Sequence, residues 1–254
     1  MKQHMITSAL LGPWKHIKYG FFTRQGGVSK GLWQGANMGL GSKDNLKDVK
    51  TNRKILAQLF DASIITLYQT HSNDVIEIGK HQQDPLSIKA DGMICCQSQF
   101  ALGILTADCA PVLFYDPVCR VIGAAHAGWK GALSGIVENC LKKMYLKGSK
   151  QSDIKVVVGP HIRPQSYEVG AEMVEIFAKH HQQVDLFFNQ KNDDKYYFDL
   201  GGYIVWRLRQ AGISQIDLLD VDTYSDSKNF FSYRRSTHLG EHDYGRQISI
   251  IMLA

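Results

Sequence analysis

The run from Ala101 to Gly128, ALGILTADCAPVLFYDPVCRVIGAAHAG, constrains the fold more than any other part of the chain. It holds three apolar segments, ALGILT, APVLFYD and RVIGAAHAG, each short and separated by polar or turn residues. None alternates apolar with polar, so none reads as a strand with one wet face. Short, near-continuous apolar runs of this kind are strands covered on both faces. Such strands need covering layers, and helical patterns elsewhere in the chain can supply them. The expectation is an α/β (or α+β) fold, a central mixed β-sheet flanked by helices. A chain of 254 residues with 44% hydrophobic residues can bury a sizeable core. No linker, repeat or low-complexity tract divides it, so a single domain over 1–254 is expected.

The other elements follow from local pattern. IKYGFFTR reads as a strand entering the Gly-rich turn QGGVSKG. Asp44 to Phe60 carries Leu46, Val49, Ile55, Leu56 and Leu59 at helical spacing. SIITLYQTH reads as a strand ending at His71, VIEIG as a short strand, and ADGMICC as a turn and strand. DPVC makes a turn between APVLFYD and RVIGAAHAG, a hairpin whose two ends lie side by side. Pro111 is expected to interrupt sheet pairing near the hairpin's open end. WKGALSGIVENCLKKMYLKG reads as a helix with Leu133, Ile136, Val137, Cys140, Leu141 and Met144 on its apolar side. Lys142, Lys143 and Lys147 lie near its C-terminal end, where the helix dipole favours cations. IKVVVGPHI is a strand, and GAEMVEIFAKHH a helix with His180 and His181 as partners of its C-terminal dipole. YYFDLGGYIVWRLRQAG is a strand edge and a helix closed by Gly212, and IDLLDVDTYS and RQISIIML are late strands.

Charge and cysteine usage narrow the function classes. The net charge of +5 is mild, and its Lys and Arg residues are spread along the chain. Small anionic molecules suit it; a nucleic-acid partner is not indicated. No apolar run is long enough for a membrane span, and the start MKQHMITSALLGPWKHIKYG is a poor signal peptide. The five cysteines, at 95, 96, 109, 119 and 140, form an odd set without CxxC spacing. Free thiols in a reducing compartment, and hence a cytoplasmic protein, are expected.

Three residues stand where predicted strands end: His71, Cys109 and His126. Strand ends are where α/β folds place their chemistry. Three readings are open for Cys109 and His126: packed core residues, a nucleophile and base, or metal ligands. Spacing alone favours packing, because free cysteine is among the most buried residue types. A thiolate and two imidazoles with one open position would otherwise be the pattern of a catalytic zinc, with copper as a substitute. Cys95, Cys96, Cys119 and Cys140 are read as packing residues, and His4, His16 and His81 as surface ones. Asp91 and Asp108 are the nearest candidate acid–base groups, although Asp-Gly is also a common turn dipeptide. Arg24, Lys130, Arg234 and Arg235 are candidates for holding a phosphate or carboxylate.

Seven blocks, FFTRQGGVSKG, QTHSNDV, ADGMI, TADCAPVLFYD, GAAHAGWKG, VGPHIRPQSYEVG and FFSYRR, occur in order along the chain. Together they resemble the bacterial laccase-domain, or multicopper polyphenol oxidase-like, proteins, over nearly the whole length. The resemblance implies a single-domain fold similar to the catalytic domain of cytotoxic necrotizing factor toxins. It implies that His71, Cys109 and His126 are zinc ligands. It also implies a purine nucleoside phosphorylase acting on adenosine, inosine and methylthioadenosine with phosphate, with adenosine deaminase side activity. A branch of the same family implies a peptidoglycan editing hydrolase that releases L-serine from UDP-MurNAc–L-serine. Two departures stand out. GPHIRP carries Arg163 where relatives have a second glycine, beside His161. RRSTHLGEHDYGR carries an apparent insertion over 236–243 with His238 and His242. Both are expected to reshape the pocket rim.

The oxidase label meets a counting argument. A multicopper oxidase needs many histidines, usually in His-x-His pairs, whereas this chain has ten and no such pair. Weak phenol oxidation by a copper-substituted site is the residue of that reading. A zinc-dependent hydrolase, deaminase or phosphorylase fits the ligand set better. Without a metal, Cys109 and His126 would be a nucleophile and its base. A non-enzymatic binding module is the alternative from another class.

Overall fold

The computed structural model describes residues 4–79 and 87–254. His81 therefore lies outside the described residues.

Fourteen strands and six α-helices follow one another through these residues. The strands are β1 (Met5–Ile6), β2 (Ile17–Phe22), β3 (Ser63–Ile65), β4 (Val75–Ile78), β5 (Gly92–Cys95), β6 (Phe100–Thr106) and β7 (Ala110–Asp116). Then come β8 (Val121–Ala127), β9 (Lys155–Val158), β10 (Glu168–Gly170), β11 (Phe188–Asn192), β12 (Lys195–Phe198), β13 (Gln215–Leu218) and β14 (Gln247–Leu253). The helices are α1 (Leu46–Phe60), α2 (Trp129–Ser134), α3 (Ile136–Tyr145), α4 (Ala171–Ala178), α5 (Leu200–Gln210) and α6 (Tyr233–His238).

The expected mixed sheet is divided in two. One sheet has the order β1-β2-β14-β6-β3, the other β13-β9-β7-β8-β5-β4; a small third sheet is β10-β12-β11. Each large sheet mixes parallel and antiparallel pairs. The two pack face to face: Tyr19, Phe21, Leu102, Ile104 and Ile251 of one meet Met93, Leu113, Tyr115, Ile122 and Val157 of the other. The outer face of the six-stranded sheet is covered by α3, α4 and α5 through Ile136, Val137, Cys140, Phe177, Tyr203 and Ile204. The outer face of the five-stranded sheet takes Leu56 and Phe60 of α1. Helix, sheet, sheet, helix is why β7, β8 and β14 are buried at every residue. Each fully buried Val, Leu or Ile in these layers contributes about 1.5–3 kcal/mol.

Several local expectations change. β3 stops at Ile65, and the chain to His71 is loop, tied down by one isolated bridge between Tyr68 and Lys89. The helix over 129–145 is two helices, because Gly135 adopts φ +98° and ends α2 while starting α3. Leu46, expected on the apolar side of α1, is half exposed, and the buried face is Val49, Asn52, Leu56 and Phe60. Pro111 does not break pairing: it sits in β7 opposite His126, before the β9 ladder begins at Val112. Its missing N–H therefore costs that ladder nothing. His181 is no dipole partner. α4 ends at Ala178, and His181 instead bonds the Tyr203 hydroxyl through Nε2 at 2.7 Å.

Candidate metal centre

The chain passes from the five-stranded to the six-stranded sheet between β3 and β4, and again between β6 and β7. His71 lies on the first crossing and Cys109 on the second. Both crossings use left-handed backbone at a non-glycine residue, φ +62° at His71 and φ +85° at Asp108. Such conformations are unfavourable for side-chain-bearing residues and persist where surrounding bonds hold them. The holding groups are carboxylates.

Asp91, directly before β5, is fully buried. Its Oδ2 accepts the Thr70 and Ser72 amides at 3.0 and 2.8 Å and the Ser72 hydroxyl at 2.8 Å. Its Oδ1 accepts the His71 amide at 2.9 Å and pairs with His126 Nδ1 at 2.7 Å. One carboxylate thus positions the His71 loop and orients the His126 ring. Burial raises its pKa, but the His126 contact and the Thr70 and Ser72 amides outweigh that and hold it below the usual carboxylate range. Asp108 is anchored in the same way on the other side. Thr223 and Ser232 hydroxyls and the Arg234 amide bond its two oxygens at 2.7, 2.8 and 2.7 Å. Burial still leaves its carboxyl raised, against the pull of those three donors. Neither carboxylate has an unengaged oxygen.

The ligand atoms of His71, Cys109 and His126 all lie within 4.8 Å of one another. Cys109 and His126 are neighbours across the β7–β8 hairpin, whose register pairs Ala110 with Ala127. Cys119, in the turn at the other end of the hairpin, lies outside this cluster. The His71 and His126 rings meet edge to face at 4.7 Å. Burial pushes the Cys109 thiol up, yet the neighbouring His126 and His71 imidazoles bring it below its ordinary value. His126 moves the other way: burial lowers it, and the Cys109 sulfur and Asp91 carboxylate raise it by more. The neighbouring imidazoles favour the thiolate, the form in which sulfur binds metals or attacks carbon. The group fits a metal ion. Cys109 Sγ and His71 Nε2 are 3.7 Å apart, close to the edge of about 3.6 Å that a tetrahedral ion with zinc-like bond lengths requires. The Asp91 bond at His126 Nδ1 leaves Nε2 as the ligand atom, the usual arrangement of a carboxylate behind a ligating histidine.

The cluster opens into a cavity of about 510 Å³ walled by Trp129, Tyr167, Tyr233 and Tyr244, with Ile162 and Leu200. Lys130 and Arg234 line it as well, with Arg234 5.3 Å over the Tyr167 ring and Lys130 5.4 Å from Trp129. Arg24 does not reach it: its guanidinium bonds the Gln34 and Ser227 carbonyls, stacks on Phe231 and lines a different cavity. Arg235 likewise bonds the carbonyls of Thr223, Tyr224 and Phe230. Of the two departures, Arg163 pairs with Asp220 at 3.1 Å, and buried His161 donates from Nδ1 to the Gly159 carbonyl at 2.8 Å. Neither His238 nor His242 lines the cavity, although their neighbours Tyr233, Arg234 and Tyr244 do. The aromatic walls were missed because they have no shared spacing in the sequence: Trp129 opens α2, Tyr233 opens α6, and Tyr167 and Tyr244 lie in separate connecting segments. Asn52 was missed too. It is buried on α1 and bonds Val28, Ser29, Gly35 and Asn37, fixing the Gly-rich loop.

Residues 18–254 match the family model described as multi-copper polyphenol oxidoreductase laccase. The chain is 34% identical over 200 residues to the purine nucleoside phosphorylase RC0672 of Rickettsia conorii, covering 78% of this chain and 81% of that protein. It is 32% identical over 250 residues to the purine nucleoside phosphorylase YlmD of Bacillus subtilis, covering 93% and 88%. A crystal structure of a Neisseria meningitidis protein superposes with a TM-score of 0.89 at 29% identity, covering 98% of this chain and 99% of that one. The hypothetical protein YfiH of Bacillus licheniformis does so with a TM-score of 0.89 at 31% identity, covering 99% and 97%. With a family model matched over residues 18–254 and relatives 32–34% identical over most of their length, the chain belongs to the multi-copper polyphenol oxidoreductase laccase family.

Proposed function

We propose that the protein is a zinc-dependent purine nucleoside phosphorylase acting on adenosine, inosine and methylthioadenosine. The observation that carries this reading is the His71/Cys109/His126 cluster opening into an aromatic-walled cavity, in a chain whose relatives bear the name purine nucleoside phosphorylase. A purine is flat and polarisable, and Trp129, Tyr167, Tyr233 and Tyr244 offer faces and edges for it to pack against. Lys130 and Arg234 supply cations at the same walls. A bound zinc ion would add a Lewis acid and a water of lowered pKa.

The residues of the chain set the geometry. Asp91 keeps His126 in the tautomer that presents Nε2, and Asp108 holds the Cys109 turn against the segment carrying Arg234. With every oxygen of both carboxylates engaged, Asp91 and Asp108 act by positioning. That favours phosphorolysis over the deaminase side activity, which calls for a carboxylate free to move a proton. The single three-residue cluster found among the described residues suits one ion, which favours this reading over an oxidase with several coppers.

The test is turnover together with metal content, on wild-type and Cys109→Ala protein. Incubation with adenosine or inosine plus phosphate is expected to release free base and ribose 1-phosphate, and methylthioadenosine to release adenine and 5-methylthioribose 1-phosphate, at about one bound zinc per chain. Cys109→Ala is expected to lose both the metal and at least about 100-fold in kcat/KM. Metal-replete wild type that releases no base sinks the reading; release of serine from UDP-MurNAc–L-serine by the same protein puts peptidoglycan editing in its place.

A further inference from the structure

A phosphorylase needs two ligands to meet at one reaction centre, and two cavities are lined by residues of the metal cluster. Besides the aromatic-walled cavity, a smaller one of about 300 Å³ is lined by His71, Cys109 and His126 together with Gln69, Thr106, Tyr244 and Arg246. His71, Ala107, Cys109 and Tyr244 line both cavities, so the two adjoin at these residues.

The smaller cavity differs from the larger in its chemistry. Among the described residues no carboxylate lines it. Thr106, only 3% exposed, has a hydroxyl with no hydrogen-bond partner. A buried hydroxyl without a partner is costly, which marks it as a group awaiting one. Arg246 lies 4.2 Å over the Tyr244 ring and gives a single hydrogen bond, from Nη1 to the Tyr244 carbonyl. Four of its five donors are therefore unused, and it forms no ion pair among the described residues. Its backbone is fixed on both sides: its amide donates to Asn37 Oδ1 at 3.0 Å, and its carbonyl accepts the Met38 amide at 2.9 Å. The side chain rests against Gly39, where a Cβ would come within 2.9 Å of Arg246 Cδ. The cavity is thus lined by a preorganised guanidinium and by a residue whose hydroxyl has no partner, donors of the kind a tetrahedral oxyanion takes.

We infer that this smaller cavity is the subsite for inorganic phosphate, bound by Arg246 and Thr106, while the aromatic-walled cavity takes the nucleoside. The inference rests on the phosphorylase reading and deepens it by assigning the second substrate. In the reaction a phosphate oxygen bonds to ribose C1′ as the C1′–N bond to the base breaks. The electron pair leaves with the purine nitrogen, which takes the proton that hydrogen phosphate gives up.

Two measurements on metal-replete, full-length protein test it: phosphate binding by titration calorimetry, and KM for phosphate and for nucleoside. The proteins are wild type, Arg246→Gln, Thr106→Val, which keeps the shape without the donor, and Thr106→Ser, which keeps the donor. Arg246→Gln and Thr106→Val are each expected to weaken phosphate binding and raise its KM by about tenfold or more, the loss of one charge-assisted or buried hydrogen bond. The nucleoside KM is expected to stay within about twofold, and Thr106→Ser to bind phosphate as wild type does. If Arg246→Gln does not fold, the Thr106 pair carries the same test. Phosphate binding and KM unchanged in Arg246→Gln and Thr106→Val overturn the assignment. So does binding of adenosine 5′-monophosphate, but not of inorganic phosphate, through the same two residues. Wild type that binds phosphate through Arg246 and Thr106, yet releases no base from any purine nucleoside, keeps the anion subsite and overturns the phosphorylase reading instead.

Discussion

Asp91 shows how one residue sets a site without facing the substrate. Its carboxylate accepts three consecutive backbone amides, a hydroxyl and an imidazole. Asp91→Asn keeps the shape but replaces one acceptor oxygen by a donor amide, facing donors that are already buried. The expected cost is about 3 kcal/mol, in the range found for removing one partner of a buried pair. Metal affinity is expected to fall about 10- to 100-fold, because the ring behind His126 Nε2 is no longer oriented. Thermal melting of the metal-free protein and competition with a chelating dye read the two effects. The pH dependence has a definite sign. The folded pKa of Asp91 lies below its unfolded one, so its contribution is present above about pH 4 and is lost as pH falls through the folded value. Asp91→Asn is therefore expected to be the less acid-sensitive protein. An Asn variant with wild-type stability and metal affinity sinks this account. The sequence pointed to Asp91 as a catalytic acid or base beside a turn; its bonds to residues 70–72 and 126 belong to sequence separations that no local pattern reports.

At the scale of elements, the start of α2 closes the metal site. Gly128 is its N-cap, with φ −75° and ψ 169°, a conformation open to any residue. A Cβ there would nonetheless stand 2.7 Å from His71 Cδ2 and 3.0 Å from Cys109 Sγ. Gly128→Ala is therefore expected to leave the helix intact while forcing the two ligands apart. Metal affinity is expected to drop about tenfold or more, with less than about 1 kcal/mol lost by the metal-free protein. Dye competition and denaturant melts separate these; unchanged affinity would mean that the ligands are free to give way. Most helices and strands were legible, because a 3.6-residue or continuous apolar pattern is local. The break at Gly135 was not, since a glycine within an apolar helical pattern is often tolerated. The short β3 was not either: SIITLYQTH looks like one strand, but Thr66 and Leu67 are buried as loop residues.

At the scale of the molecule, the site sits where the chain crosses between the two sheets. The β3–β4 crossing brings His71, the β6–β7 crossing brings Cys109, and the crossing from β13 back to β14 brings Thr223, Ser232, Arg234 and Tyr244. A metal held there ties the first two crossings to β8. Metal binding to the folded chain alone stabilises it by about 4 kcal/mol at a free concentration 1,000 times the Kd. Chelation is then expected to lower the melting temperature on the order of 10 °C. Calorimetry before and after dialysis against a chelator measures this. Cys109→Ala is expected to melt at one temperature in both conditions; a wild type that does the same contradicts the site.

The sequence by itself determined the buried strands, the helices around them, and the three residue types that can share a metal. It did so because burial on both faces, helical period and ligand chemistry are written in neighbouring residues. The tertiary structure alone decided that the mixed sheet is two, that His71 adopts a left-handed loop conformation, and that Arg24 faces away from the site. It alone placed Thr106 and Arg246 in one cavity and Trp129, Tyr167 and Tyr233 in another. These are contacts between residues tens to more than a hundred positions apart, set by how the sheets pack and where the chain crosses between them.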